Sequence, residues 1–300
     1  MLILKELWLD SRISFNALGK RLKVSGNILK KRADKLEKNE VLFYHTNPVY
    51  SQFGYGLIVF EADIPKKNRD VYIDKISSNF NEVYDIILSL STKCAITTLL
   101  PFDSDSGVTE ETINNFIKRF AEKIEEIPLG PHYKLLHEKP NRLNLKPMEL
   151  RLIRLLREYS RRDLNYLSNR LDLSKKTLSR YLQKLDDSNL IKHTIGLQPS
   201  KIKGFVIHIL FIEFKSNKNL FKKVEFLKEK TSWVSYYVFV EPPGCFFYVY
   251  SESLAEMENY MKELYDSPEI DLKEINVFFP SSIVRFEKWK EMIIPDEKQI

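Results

Sequence analysis

Residues 174–185 have the sequence SKKTLSRYLQKL, and residues 25–36 have the sequence SGNILKKRADKL. Each stretch opens on a serine, whose side-chain oxygen can accept a hydrogen bond from the first turn of a helix. Leucines then recur at helical spacing, as at Leu178, Leu182 and Leu185, and most of the remaining positions are polar or basic. Each stretch therefore predicts a short amphipathic helix with a cationic outer face.

The two stretches belong to one internal repeat. A shift of 149 residues aligns residues 7–42 with residues 156–191 without a gap, and 11 of the 36 aligned residues are identical. Each copy predicts three helices. Ser14 and Asp163 are the expected caps of the second helices, and an extended segment or wing follows the third. A repeat of this length indicates duplicated domains, since the repeats of solenoid proteins are much shorter.

Two short helices joined by a tight turn, the second of them basic, suit the major groove of DNA. The first turns of such a helix face base edges, while flanking Lys and Arg neutralise phosphates. Residues 1–50 hold 10 Lys/Arg against 5 Asp/Glu, and residues 141–204 hold 15 against 6, whereas the rest of the chain is net acidic. This segregation favours a polyanionic partner over the alternative, a plain three-helix bundle with a basic surface.

Each helical copy is followed by strands and helices in the order βαββαβ, over residues 55–137 and 204–284. This order predicts a four-stranded antiparallel sheet with two helices on one face. Strands such as FVIHILFIEF (205–214) are apolar on both faces, so the second face should be covered by another such domain, in the same chain or in a partner.

The predicted fold class is therefore α+β, with two winged helix-turn-helix domains alternating with two ferredoxin-like βαββαβ domains. The expected domains are helix-turn-helix domains at 1–50 and 141–203, and α+β domains at 51–140 and 204–300, the last ending in a C-terminal tail.

These features resemble the leucine-responsive regulatory protein (Lrp/AsnC) family of prokaryotic, often archaeal, transcription regulators. The resemblance rests on residues 3–14, on the two third-helix stretches and on the βαββαβ domains. It implies a DNA-binding regulator whose α+β sheets form dimers or larger oligomers. The chain departs from the family at Glu40 and Asn189, where glycine is usual before the wing. It also lacks the usual Gly-Asp pair near the amino-acid effector site, which argues against such an effector.

The predicted partner is double-stranded DNA, contacted by the third helix of each copy. The candidate groove residues are Asn27, Lys30 and Lys31 in the first copy and Lys175, Lys176, Ser179, Arg180 and Gln183 in the second. Arg161, Arg162 and Arg170 are the candidate phosphate contacts.

Little in the sequence indicates chemistry, so we expect no catalytic residue, no metal and no cofactor. The five histidines show no metal-ligand spacing, and Cys94 and Cys245 are expected to be small buried residues. No apolar run is long enough to span a bilayer and no signal peptide is evident, which predicts a cytoplasmic protein.

Two other functions stay open. Fused Lrp-like pairs occur in siroheme decarboxylases, where histidines of a strand hairpin meet the tetrapyrrole, but residues 234–250 contain no histidine. The other is an interaction or sensor protein that does not bind DNA.

Overall fold

The computed structural model describes residues 2–102, 107–136 and 145–293. The first half of the chain contains α1 (Leu2–Leu9), α2 (Phe15–Leu22), α3 (Gly26–Lys38), β1 (Leu42–Pro48), β2 (Tyr55–Asp63), α4 (Arg69–Asn79), β3 (Val83–Ser89), β4 (Lys93–Pro101), α5 (Glu110–Lys123) and β5 (Leu129–Leu135). The second half contains α6 (Pro147–Glu158), α7 (Leu164–Leu171), α8 (Lys175–Asp187), β6 (Ile191–Leu197), β7 (Val206–Phe214), α9 (Leu220–Lys230), β8 (Trp233–Glu241), β9 (Gly244–Ser251), α10 (Leu254–Tyr265), β10 (Leu272–Phe278), β11 (Pro280–Arg285) and α11 (Trp289–Ile293).

These elements form two compact units, each built from both halves of the chain. The helix-turn-helix unit comprises the described parts of residues 1–53 and 139–201 together with Ile293. The sheet unit comprises the described parts of residues 54–138 and 202–292. The α+β fold class is as predicted.

The expected caps begin three of the helices in the helix-turn-helix unit. The side chains of Ser14, Asp163 and Ser174 accept hydrogen bonds from the third residue beyond each, at 3.1, 2.8 and 3.1 Å. Ser25 occupies the same position before α3, but its side chain makes no such bond. The leucines at helical spacing point inward, and Leu178 and Leu185 are fully buried.

The two helix-turn-helix copies pair through β1 and β6, which run antiparallel. At the centre of the register His45 faces Thr194, its own counterpart under the 149-residue shift. Two main-chain hydrogen bonds that flank the strands are reciprocal. The amide of Val49 donates to the carbonyl oxygen of Leu190, and the amide of Gln198 donates to that of Val41. A local two-fold axis therefore relates the copies. The predicted wing is a strand that pairs with the opposite copy.

The strands of the sheet unit form one antiparallel sheet in the order β10-β7-β9-β8-β5-β2-β4-β3-β11. Its end strands, β10 and β11, lie at opposite ends of this order although only Phe279 separates them in the chain. One apolar cluster inside it joins Val59 and Tyr133 of the first half with Phe211, Phe239 and Phe246 of the second. The predicted burial of the second sheet face is thus achieved within one chain.

Two strands differ from the expected pattern. The sequence predicts the last strand of the first α+β segment over residues 132–138, whereas β5 spans Leu129–Leu135, and residues 137 and 138 lie outside the described ranges. Residues 280–285, which follow the last strand expected in the second segment, form an additional strand, β11, along the edge of β3. The segment Pro-Ser-Ser-Ile-Val-Arg is extended because of this partner, since its composition is not that of an apolar strand.

Backbone conformation also follows the repeat. Residues other than glycine take positive φ at three pairs of equivalent positions, among them Glu40 (57°) and Asn189 (50°) before the paired strands. Glu40 and Asn189 therefore both adopt the left-handed conformation. The chain keeps this conformation without the glycine that is usual there.

Candidate nucleic-acid interface

The third helices α3 and α8 bury one face and leave the other at the surface. Leu29 and Ala33 of α3 and Leu178, Leu182 and Leu185 of α8 form the inward stripes. The candidate groove residues are all exposed, namely Asn27, Lys30, Lys31, Lys175, Lys176, Ser179, Arg180 and Gln183. The helices are thus positioned by apolar contacts that leave the polar side chains accessible.

One groove candidate of α8 already has a partner on its own helix. The amide of Gln183 donates to Asp187 Oδ1 at 2.6 Å, one helical turn further on. Another side chain of α8, Lys184, is bound to the buried carboxylate of Glu149. Glu149 also accepts a bond from the backbone amide of Lys146 at 2.8 Å. Burial acts to raise the pKa of Glu149, but the bonds from Lys184 and Lys146 outweigh it and the pKa is lowered.

Arg161 is turned toward the opposite copy. Its guanidinium donates to the carbonyl oxygens of Ser11 and Ile13 and lies over the rings of Phe15 and Tyr44, at 4.2 and 4.8 Å from their centroids. The predicted phosphate contact would compete with these interactions. Arg161 therefore ranks last among the arginine candidates.

Arg12, the counterpart of Arg161 in the first copy, contacts the second copy in the same way. Its guanidinium donates to the carbonyl oxygen of Ser160 at 2.6 Å, and Ser160 is the counterpart of Ser11. Thr46 adds hydroxyl contacts to Ser160 Oγ and His193 Nδ1, both at 2.8 Å. This interface was not predicted, although the identity of Arg12 with Arg161 and of Ser11 with Ser160 in the repeat was visible.

Arg162 and Arg170 are exposed and adjoin two tyrosines. The Arg162 guanidinium lies 5.4 Å from the Tyr166 centroid, and that of Arg170 lies 5.8 and 5.9 Å from Tyr166 and Tyr159. A hydrogen bond from Arg170 lowers the pKa of Tyr166. These arginines keep their charge at the surface beside α7, where a phosphate can reach it.

A second polar cluster lies in the sheet unit, on the sheet face that also carries Ile87 and the apolar cluster joining the two halves. Asp85 on β3 is paired in register with Arg285 on β11 and with Thr97 on β4. Burial raises the pKa of Asp85 to about 6 against the opposing effects of Thr97 and Arg285, and it raises that of Tyr248 nearby. One Asp85 carboxylate oxygen is buried without a hydrogen-bond partner in the described part of the chain.

The sequence did contain a signal for this interior cluster, which the prediction missed. Asp85 interrupts the apolar run of β3, VYDIILS, at a position that shares its sheet face with Ile87. A carboxylate on an inward face is costly to bury without partners and often marks a functional site. Asp85, Arg285 and Tyr248 together could hold a ligand with both charged and aromatic surface.

The remaining chemistry is sparse. In residues 2–102, 107–136 and 145–293, no three His, Cys, Asp or Glu side chains are placed to share a metal ion. Burial raises the pKa of the Cys94 thiol to about 12 and also raises that of Cys245. The same residues include no helix with the length and hydropathy of a membrane span.

Comparison with known proteins identifies the architecture. No protein-family model and no curated protein sequence matches the chain. The structure of the siroheme decarboxylase NirDL in complex with an iron-uroporphyrin III analogue matches with a TM-score of 0.56 and 12% identity, over 97% of both chains. A second NirDL structure matches at 0.55 and 13%, over 97% of this chain and 96% of that one.

Regulators match over one half of the chain. The structure of Escherichia coli AsnC matches over 99% of its length and 49% of this chain, at 15% identity and a TM-score of 0.36. The full-length matches, at their low identity, establish the fold alone. The chain is an α+β protein with an internal duplication and has the fold of full-length NirDL.

Proposed function

We propose that the chain binds duplex DNA through the helix-turn-helix unit, as a transcription regulator does. The observation that carries the proposal is the exposure of the polar faces of α3 and α8 in two copies related by a local two-fold axis. Helix-turn-helix dimers present their recognition helices to successive major grooves in this symmetric way. One chain here contains both.

The charge distribution supports the same function. The helix-turn-helix segments are net cationic, by 5 charges in residues 1–50 and 9 in residues 141–204, while each α+β segment is net acidic by 4. Cations concentrated on one unit lower the free energy of binding to phosphates by releasing condensed counterions. Binding should therefore weaken steeply as salt is raised.

The test measures the affinity of the full chain for a labelled duplex by fluorescence anisotropy at several salt concentrations. We expect tight binding at about 50 mM salt that weakens by at least about a hundredfold at about 200 mM. Replacing Lys176 and Arg180 with Ala should weaken binding about tenfold or more. The matched control removes two exposed charges from the sheet unit, Lys66→Ala with Lys67→Ala. Equal affinities of the two double variants would contradict the proposal.

A second candidate function is an enzyme that acts on a tetrapyrrole. The full-length similarity to a siroheme decarboxylase favours this candidate over a regulator and weighs against the expectation that the chain is not an enzyme. The cluster of Asp85, Arg285 and Tyr248 offers charged and aromatic groups inside the sheet unit. The DNA proposal rests on the chain's own exposed residues, and the two functions belong to different units.

Absorbance titration with siroheme tests this candidate. A site on the chain should give a saturable shift of the Soret band, and Arg285→Ala should weaken it while Lys262→Ala, an exposed change on α10, leaves it alone. Circular dichroism checks that both variants are folded. A spectrum equal to the sum of free siroheme and protein eliminates the candidate and leaves the DNA proposal untouched.

A further inference from the structure

The two third helices present different side chains at equivalent positions. Under the 149-residue shift, Asn27, Lys30, Lys31 and Asp34 of α3 correspond to Lys176, Ser179, Arg180 and Gln183 of α8, and all eight residues are exposed. None of the four pairs is identical. The inward residues match better, since Leu29 corresponds to Leu178 and Leu36 to Leu185.

These differences change which base edges the two helices can bind. Asn and Gln suit adenine, Arg and Lys suit guanine, and the carboxylate of Asp accepts a hydrogen bond from the amino group of cytosine. Asn27 and Asp34 of α3 therefore favour adenine and cytosine at positions where Lys176 and Gln183 of α8 favour guanine and adenine. The pair Lys31 and Arg180 suits guanine in both helices. Each helix should favour a different half-site.

The packing of α3 is also different from that of α8. A Cβ atom on Gly26 would lie 2.8 Å from the carbonyl oxygen of Phe15 and 2.6 Å from Asn16 Oδ1. The counterpart of Gly26 in α8 is Lys175, which is exposed and carries a charge beside the first turn. The first turn of α3 therefore cannot acquire that charge, and the difference between the helices is built into their packing.

The local two-fold axis sets how the two half-sites are arranged. His45 lies opposite Thr194 at the centre of the β1–β6 register, and Arg12 and Arg161 exchange main-chain contacts across the same axis. Helices related by such an axis meet the duplex in opposite directions, so their half-sites are inverted. In a dimer of identical chains the half-sites are also identical. Here the covalent link joins two unlike helices.

We infer that this chain recognises an asymmetric DNA site, in which two different half-sites in inverted orientation are read by α3 and α8 respectively. The inference rests on the proposed function. Because the site has no two-fold symmetry in sequence, the chain binds it in one direction only and places the first half of the repeat on a defined side.

The test selects binding sequences from a random duplex pool with the full chain. The expected product contains two unlike inverted half-sites, and the chain should bind it about tenfold or more tightly than either symmetrised duplex, since each good base contact discriminates by about that factor. A selected palindrome, or a single unpaired half-site, overturns the inference while leaving DNA binding intact. A chain that retains no duplex at low salt overturns the proposed function as well.

A helix exchange makes the test sharper. The fourfold variant Asn27→Lys, Lys30→Ser, Lys31→Arg and Asp34→Gln gives α3 the exposed residues of α8 and keeps Gly26. It should now prefer the duplex with two α8 half-sites over the original site. The readout is the ratio of affinities for the two duplexes, which a general change in charge does not move. Glu37→Asp, the equivalent exchange on the last turn of α3, is the control and should keep the original preference. An unchanged preference in the folded fourfold variant overturns the inference.

Discussion

Arg12 and Arg161 occupy the same position in the two copies of the repeat, and each guanidinium donates to main-chain carbonyl oxygen of the opposite copy. A charged donor bound to partly buried carbonyl groups contributes about 1.5–3 kcal/mol to stability. A surface arginine held over a tyrosine contributes much less. Two neighbouring residues represent the two kinds: Arg161 donates to main-chain carbonyl oxygens, and Arg162 lies over a tyrosine at the surface.

Arg161→Ala should lower the free energy of unfolding by about 2 kcal/mol, because it removes the bonds to Ser11 and Ile13 and the contact with Phe15. Arg162→Ala should change it by about 0.5 kcal/mol or less. Chemical denaturation measures both. If the two variants are equally stable, Arg161 does not join the copies.

His208 is buried in the sheet unit, where its Nε2 contacts the hydroxyl of Tyr260. Burial lowers the pKa of His208 to about 4 from the ordinary value of 6.5. Between these values the unfolded chain takes up a proton that the folded chain does not. The contribution of His208 to the free energy of unfolding is therefore greatest above pH 6.5. It decreases by about 1.4 kcal/mol per pH unit as the pH is lowered from 6.5 to about 4.

We expect His208→Asn to reduce the loss of stability between pH 7 and pH 5, measured by urea denaturation at both values. Asparagine keeps a polar partner for Tyr260 but does not titrate. Loss of the ring packing would lower the free energy of unfolding at both pH values. The readout is therefore the difference in the free energy of unfolding between pH 7 and pH 5. The same difference in variant and parent would show that His208 does not cause the dependence.

The sequence was least informative about the orientation and contacts of individual side chains. Helical spacing and caps predicted which residues of α3 and α8 face outward. They could not predict that Arg161 turns inward while Arg162 stays out, because that choice depends on Ser11 and Phe15, about 150 positions away in the chain. Asp85, by contrast, is visible in the sequence as a charged residue within the apolar run of β3.

At the scale of elements, the helix starts of the two copies provide a matched pair. Ser174 Oγ accepts a hydrogen bond from the Thr177 amide at 3.1 Å, whereas the side chain of Ser25 makes no capping bond. A helix N-cap bond of this kind contributes about 1 kcal/mol. The same residue type at equivalent positions should therefore have unequal effects.

Ser174→Ala should lower the free energy of unfolding by about 1 kcal/mol, and Ser25→Ala by roughly half of that or less. Urea denaturation of the two variants checks the difference. Both serines are exposed, so neither change leaves a cavity. A larger loss for Ser25→Ala would contradict the assigned caps.

The order of the helices and strands could be predicted from the sequence, but the pairing of the strands could not. Periodicity and turn residues located the helices of both copies and the βαββαβ order. The pairing of β1 with β6 and of β11 with β3 joins segments far apart in the chain, so no local pattern contains it. A two-sided apolar strand showed only that something covers the second face.

At the scale of the molecule, the duplication places both partners of two interfaces in one chain. The helix-turn-helix copies pair directly through β1 and β6, and the two sheet halves enclose one apolar cluster. One chain should therefore be sufficient for one DNA site. Assembly of several chains, which the family resemblance implies, is then a separate property.

The most direct measurement of the central claim is a hydroxyl-radical footprint of the chain on a duplex selected for binding. One bound chain should protect two patches of the backbone. Lys30→Ala with Lys31→Ala should expose one patch, and Lys176→Ala with Arg180→Ala should expose the other. A single patch, or two patches that respond to neither double variant, would contradict the claim that α3 and α8 both contact one duplex.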